Sequence, residues 1–177
     1  MANFTQKTVH THPRPLPHEV LAKAKKPVVL VLEDIRSGNN VGSILRTADA
    51  FGLEEVIMVG YTPTPPHREI LKTSLGAEEA VAWRKGDTIQ NVVNVFRDRG
   101  YRIAALEQAT DSIGLDEYEV SEVPGTVIIL GNEVRGVSQE ALDVCDVVLE
   151  IAQHGTKQSL NVSVAAGIVA YCLANSY

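Results

Sequence analysis

The stretch IAQHGTKQSLNVSVAAGIVAY, Ile151–Tyr171, opens as the end of an apolar strand, passes through a polar loop containing Gly155 and closes as an apolar helix. Ser159 occupies the position of a helix N-cap, ahead of the small and apolar run Val162–Ala170. A helix start presents backbone N–H groups without intrahelical partners, so polar side chains there border a ready ligand site. The helix is nearly all apolar and is expected to be buried on most of its surface. Taken alone, Ser159 is most simply a satisfied cap.

Outward from this stretch, strands and helices alternate. Pro27–Leu32 is short, branched and apolar on both faces, as a buried parallel strand requires. A polar turn, Glu33–Asn40, follows it, and Val41, Ile44, Leu45, Ala48 and Phe51 then recur at helical spacing. Asn39 or Asn40 is expected to cap this helix and Gly52 to end it. Arg46 points away from its apolar stripe. Val56–Val59 is the next strand, and Tyr61–Arg68 is a proline-rich loop at its end. Further on come a short helix at Glu69–Ser74, a strand at Ala80–Trp83 and an amphipathic helix over Asp87–Arg99. Strands at Tyr101–Leu106 and Thr126–Leu130, a short helix at Ser138–Val144 capped by Ser138 and a last strand at Val147–Ile151 complete the series. The class is α/β, with a mostly parallel sheet flanked by helices. Ligands in such sheets sit beyond the carboxyl ends of the strands. The polar clusters Glu33–Asn40, Tyr61–Arg68, Glu107-Gln108, Gly131–Gly136 and Gln153–Asn161 all fall at such ends, which is the strongest physical argument for one shared site.

Length and composition bound the rest. The chain has 177 residues, 45% of them hydrophobic and 21% charged, enough for one full core. No apolar run is long enough to span a membrane, and the first residues lack the apolar core of a secretory signal. Cys145 and Cys172 stand without a C-x-x-C pattern, so neither zinc nor a disulfide framework is expected, and a reducing cytoplasm fits best. No metal is expected. Residues 1–26 form a basic arm, with Lys7, Arg14, Lys23, Lys25 and Lys26 against Glu19, ahead of one domain over residues 27–177; the only helix expected in the arm is a short one at His18–Lys25. His10, His12 and His18 have no metal-site spacing. From Glu107 to Glu150 many acids face a single cation, Arg135. The net charge of −6 argues against indiscriminate nucleic-acid binding, but a basic front with an acidic back can steer an anion.

The common catalytic fingerprints are missing. There is no G-x-G-x-x-G, and Gly155-Thr156-Lys157 is a P-loop fragment without its first glycine. H-E-x-x-H and G-x-S-x-G are absent too. Glu33, Asp34 and Glu133 are candidates for a carboxylate pair, which sequence alone does not bring together.

Three blocks remain, and in their order and spacing they are specific. Asn40-Val-Gly-Ser-Ile-Leu-Arg46, Val127–Leu130 with Gly131-Asn132-Glu133-Val-Arg-Gly136, and Ser159-Leu160-Asn161-Val-Ser163-Val-Ala165 resemble, in turn, the three motifs of the SpoU–TrmH branch of the SPOUT RNA methyltransferases. The resemblance covers about residues 27–175. Lys72–Ala77 and Leu106–Gln108 lean towards tRNA-modifying members. One departure is Ala152, where the family usually has proline, which removes a fixed φ and adds a backbone N–H.

The resemblance implies transfer of a methyl group from S-adenosylmethionine to a ribose 2′-hydroxyl of RNA, with tRNA ahead of rRNA as substrate. It implies a deep trefoil knot in the C-terminal part, which general topology rules would never predict, and a homodimer with catalytic groups near its interface. It gives the catalytic set as Arg46, Asn40, Glu133, Ser159 and Asn161. The cofactor loops would be Leu106, Glu107 and Gln108; Leu130, Gly131, Asn132 and Gly136; and Ile151, Gln153, Gly155, Ser159 and Leu160. Gly131 and Gly136 are expected to let the backbone approach the ligand, so that Gly131→Val blocks binding without unfolding the chain. Lys23, Lys25, Lys26, Arg36, Arg68 and Lys72 are expected to neutralise RNA phosphates. A guanidinium is effectively always protonated, so Arg46 acts either as a transiently neutral base or as a cation that stabilises developing alkoxide. Two other classes are an RNA-binding module that has lost catalysis and a small-molecule α/β enzyme. The retained motif residues argue against the first, the missing fingerprints and the basic arm against the second.

Overall fold

The computed structural model describes residues 6–7, 15–120, 122–157 and 159–177. Seven strands make one sheet: β1 (Lys26–Glu33), β2 (Leu53–Val59), β3 (Trp83–Lys85), β4 (Arg102–Leu106), β5 (Ile113–Gly114), β6 (Thr126–Leu130) and β7 (Val147–Glu150). Their order is β3-β2-β1-β6-β4-β7-β5, and every pairing is parallel. Among the described residues six helices accompany it: α1 (Pro17–Leu21), α2 (Gly38–Phe51), α3 (Arg68–Ser74), α4 (Ile89–Asp98), α5 (Gln139–Asp143) and α6 (Val162–Ser176).

The two-residue period of β1 divides the core. Val28, Leu30 and Leu32 face the layer that includes Val41, Ile44, Leu45 and Ala48 of α2 and Ala166, Val169, Ala170 and Leu173 of α6. Val29 and Val31 face Val92, Val93 and Phe96 of α4 and Ala141 of α5. All five β1 residues are fully buried, the signature of a parallel sheet covered on both sides. The last helix follows β7 yet packs on α2 and β1, so the chain crosses back over the ends of β4 and β6 to reach it. Tyr177, just past its end, is pinned there: Thr126 Oγ1, fully buried at the start of β6, lies 2.8 Å from the Tyr177 hydroxyl and 3.1 Å from that of Tyr118.

Several boundaries differ from expectation. Ser37, not Asn39 or Asn40, caps α2 by accepting the Asn40 N–H, and Asn161, not Ser159, caps α6 by accepting the Ser163 N–H at 2.8 Å. The expected strand Ala80–Trp83 starts at its last residue, because a 3-10 turn over Ala77–Glu79 runs on through Ala80. The helix near the front ends at Leu21 rather than Lys25. Residues 1–5 and 8–14, with His10, His12 and Arg14, lie outside the described residues. The last helix was expected to be buried on most of its surface; the chain buries one face only, and Val164 and Tyr171 on the other are 50% and 60% exposed.

Helices α2 and α3 meet at Gly42, where a Cβ would collide with Thr73 Oγ1 and the Ile70 carbonyl. Gly42→Val should therefore cost about 1–3 kcal/mol of stability by overpacking. Denaturant unfolding measures it; a variant as stable as wild type would contradict this account of the α2–α3 contact.

Candidate active site

The carboxyl ends of the adjacent strands β6, β4 and β7 open onto one cleft of about 710 Å³. That is within the usual size of small-molecule sites, about 300–1,000 Å³. The turn after β6, the end of β4 and the start of α6 are tied down by hydrogen bonds within the protein.

After β6 the chain makes a tight turn, closed by Asn132 N–H to Gly136 O at 3.0 Å and Gly136 N–H to Asn132 O at 2.9 Å. The Asn132 amide, 6% exposed, fills its hydrogen-bonding capacity with protein. Its Oδ1 accepts the Val134 and Arg135 N–H groups, and its Nδ2 donates to the Asp34 carbonyl at 2.7 Å and the Tyr61 hydroxyl at 2.8 Å. Its side chain therefore builds the wall. Gly131 is likewise packed by protein: a Cβ there would strike the backbone of Gly136 and Val137. Gly131→Val would thus deform the turn itself, which corrects the expectation that its effect is confined to ligand approach. Gly136 has φ +71°, and a Cβ would meet the Glu107 carboxylate. That carboxylate, at the end of β4, accepts the Val137 and Gln108 N–H groups, each at 2.9 Å.

Glu133 reaches across to the loop after β1. It accepts the Arg36 N–H at 3.0 Å, the Ser37 N–H at 3.1 Å and Asn40 Nδ2 at 2.9 Å. The Asn40 Oδ1 in turn accepts Asn161 Nδ2 at 3.2 Å. One chain of hydrogen bonds thus joins the starts of α2 and α6 to the β6 turn, and all three motif blocks meet. Partial burial pushes the Glu133 carboxyl up, but the N–H groups of Arg36, of Glu133 itself and of Ser37, with the Asn40 amide, outweigh it and hold the carboxyl below its ordinary value. The other acids form no pair with it. Glu33 accepts the Ser138 N–H at 3.0 Å and hydroxyl at 2.6 Å, and Asp34 accepts the Tyr61 N–H.

The cleft is lined by Leu106, Glu107, Gln108, Leu130, Gly131, Asn132, Glu133, Gly136, Ile151, Gln153, Ser159, Leu160 and Asn161 of the expected set. Gly155 is not among its walls, and a Cβ there would meet nothing within 4 Å. Asn40 touches the site through Glu133 and Asn161. Arg46 does not reach it: six residues further along α2, about 9 Å at 1.5 Å per residue, it is exposed and lines two other hollows. Of the other lining residues, Val134 and Arg135 fall inside the expected strand-end cluster Gly131–Gly136, whereas sequence reasoning missed Val137, Leu142, Glu150, Val162 and Ala165. Glu150 stands at a strand end, a signal that was there to be used; Leu142 and Ala165 look like any helical core position. Among the described residues no cluster of three or more His, Cys, Asp or Glu suits a metal ion, and no helix is long and apolar enough to cross a membrane.

A parallel α/β sheet with a nucleoside-sized cleft at its carboxyl edge defines a broad class of ligand-binding domains. Residues 27–171 match the SpoU rRNA Methylase family, and the chain belongs to that family. It is 31% identical over 155 residues to a tRNA (guanosine(18)-2'-O)-methyltransferase of Aquifex aeolicus, covering 86% of this chain and 71% of that protein. The fold matches the crystal structure of the A. aeolicus TrmH/SpoU tRNA modifying enzyme with a TM-score of 0.79 at 29% identity, covering 90% of this chain and 80% of that one. It matches an AdoMet-bound rRNA methyltransferase from Sinorhizobium meliloti with a TM-score of 0.78 at 26% identity, covering 85% of this chain and 56% of that one.

Because the Glu133 carboxyl is held below its ordinary value, the order it confers is complete above the unfolded carboxyl range and is lost as pH falls through the lower folded value. Glu133→Ala should speed hydrogen exchange at the Arg36 and Ser37 amides at neutral pH, and wild type should lose the same protection only in acid. Equal protection in the two proteins at neutral pH would refute the link.

Proposed function

We propose that this chain is an S-adenosylmethionine-dependent methyltransferase that acts on a ribose 2′-hydroxyl of RNA, with tRNA as the preferred class. The observation that carries the reading is the convergence of the three motif blocks on one cleft, joined through Glu133, Asn40 and Asn161. The tRNA-modifying name of the Aquifex relative and the AdoMet-bound state of the Sinorhizobium structure support the chemistry; the rRNA name of the latter keeps rRNA as the second reading.

The cleft fits the cofactor. Leu106, Ile151, Leu160 and Val162 give it apolar walls for an adenosyl group, and Glu107 and Glu150 bring negative charge that suits a cationic ligand. When bound, S-adenosylmethionine supplies a methyl group on a sulfonium. The protein must then align a 2′-hydroxyl in line with that methyl and manage one proton. Asn40 and Asn161 are fixed by their mutual hydrogen bond and stand ready to orient the ribose; Ser159 lines the same cleft. Arg46, exposed and cationic, stabilises the alkoxide as it develops, with the proton leaving to water.

Arg46 lies too far along α2 for its own cleft, which supports a homodimer in which Arg46 of one protomer serves the site of its partner. The exposed apolar residues Val164 and Tyr171 on the free face of α6, with Leu160 before it, supply a surface for that pairing. The return of the chain from β7 across the ends of β4 and β6 to α6 supports the trefoil knot expected of the family. Residues 1–26 serve as a basic RNA-binding arm on a domain formed by residues 27–177, working in the cytoplasm.

Purified protein with methyl-labelled cofactor and a pool of unmodified tRNA transcripts should yield a 2′-O-methylated nucleoside on digestion; a label found only on bases would overturn the reaction assigned. Arg46→Lys should lower turnover about 100-fold, the scale of a lost transition-state donor, while calorimetry finds cofactor affinity unchanged. Near-wild-type turnover in Arg46→Lys would remove Arg46 from the mechanism.

A further inference from the structure

Each of the three strand ends around the cleft contributes one carboxylate: Glu133 in the turn after β6, Glu107 at the end of β4 and Glu150 at the end of β7. One cation, Arg135, stands among the lining residues, and it lies 3.5 Å from Asp34 Oδ2, so its charge is already answered. The lining is therefore negative, and a phosphate entering it meets no uncommitted cation on the walls. Two of the carboxylates hold the structure together. Glu107 accepts the Val137 and Gln108 N–H groups, and Glu133 accepts those of Arg36 and Ser37. Glu150 has no such duty. Its Oε2 accepts the Ser112 hydroxyl at 2.7 Å, and no cation pairs with it among the described residues. A glutamine would accept the same hydroxyl equally well, so the negative charge at this position serves nothing within the chain. A half-buried carboxylate without a counter-charge carries a desolvation cost that a cationic ligand offsets.

The geometry points to Glu150 as a specificity-determining residue, whose charge makes the cleft prefer the cationic sulfonium of S-adenosylmethionine to the neutral thioether of S-adenosylhomocysteine. The inference rests on the reading of the cleft as the S-adenosylmethionine site. Methyl transfer forms a C–O bond to the ribose, releases the hydroxyl proton to water and leaves the C–S electron pair on sulfur. Donor and product thus share the adenosyl group, the ammonium and the carboxylate, and differ at sulfur by the methyl and one positive charge. Coulomb attraction falls off only as the inverse of distance, so the Glu150 carboxylate acts on that charge from the cleft wall without touching it. Once the methyl has gone, the attraction has no object at sulfur, and the cleft holds the product less firmly than the donor.

Calorimetric titration of the full chain with each of the two ligands tests this without RNA or turnover. Wild type should bind S-adenosylhomocysteine about fivefold more weakly than S-adenosylmethionine, the scale of one solvated charge pair. Glu150→Gln keeps the acceptor for Ser112 and should bring the two affinities together, through weaker donor binding with product binding unchanged. Glu150→Asp keeps the charge and should keep the preference, even if both affinities shift. Wild type that binds the product as tightly as the donor would overturn the inference, and that measurement needs no variant. Equal weakening of both ligands in Glu150→Gln would overturn it too, since it would show a contact to a part they share. Wild type that binds neither ligand would overturn the cofactor reading itself.

Discussion

The Glu133 carboxylate is the interaction on which the site depends. A carboxylate that takes two backbone N–H groups and a side-chain amide ties the loop after β1 to the turn after β6. Through Asn40 the same chain of bonds reaches Asn161, the cap of α6. Charge-assisted hydrogen bonds are the stronger kind, and here they join two chain segments more than ninety residues apart in sequence. Remove the carboxylate and Asn40 loses its orientation, and the start of α6 loses its neighbour. Asn132 performs a parallel service one residue earlier, since its amide holds the turn to Asp34 and Tyr61. The turn after β6 is thus held by polar groups already satisfied by protein, which gives the cleft one firm wall.

A second consequence concerns where the chemistry sits. Asn40 and Arg46 share α2, yet the first is bonded to Glu133 and Asn161, which line the cleft, and the second borders the hollows beyond the helix. One α-helical stretch of about 9 Å separates them. In the proposed reaction the cleft takes the methyl donor, and Arg46 of the same chain lies apart from it. The proposed union of the two takes a second protomer, for which the exposed side of α6, with Val164 and Tyr171, offers an apolar surface.

Much of this was legible in the sequence, for a physical reason. Buried parallel strands such as Thr126–Leu130 are unbroken branched apolar runs, and five polar clusters fell at strand ends where the architecture puts ligands. Helix starts were read less well. Ser37 competes with Asn39 and Asn40, and Ser159 with Asn161; all five are good caps, and propensity does not choose among them. The tertiary partner chooses: the Asn40 side chain is occupied by Glu133 and Asn161, which leaves Ser37 to cap. β5 has two residues, too few to show a period. Gly131 read as a ligand-facing glycine because its backbone neighbours, Gly136 and Val137, come near only once the turn has closed. The separation of Arg46 from the cleft follows from the rise along α2 once Asn40 is fixed by Glu133 and Asn161, partners that no local pattern encodes.

The central claim is that these loops and Arg46 together methylate a ribose. The most direct measurement is a map of ribose methylation across the tRNA and rRNA of cells with and without this protein. The account predicts the loss of one or a few 2′-O-methyl marks, tRNA first, restored by wild type and not by Arg46→Ala. Identical maps in the two cell lines, or restoration by Arg46→Ala, would contradict it.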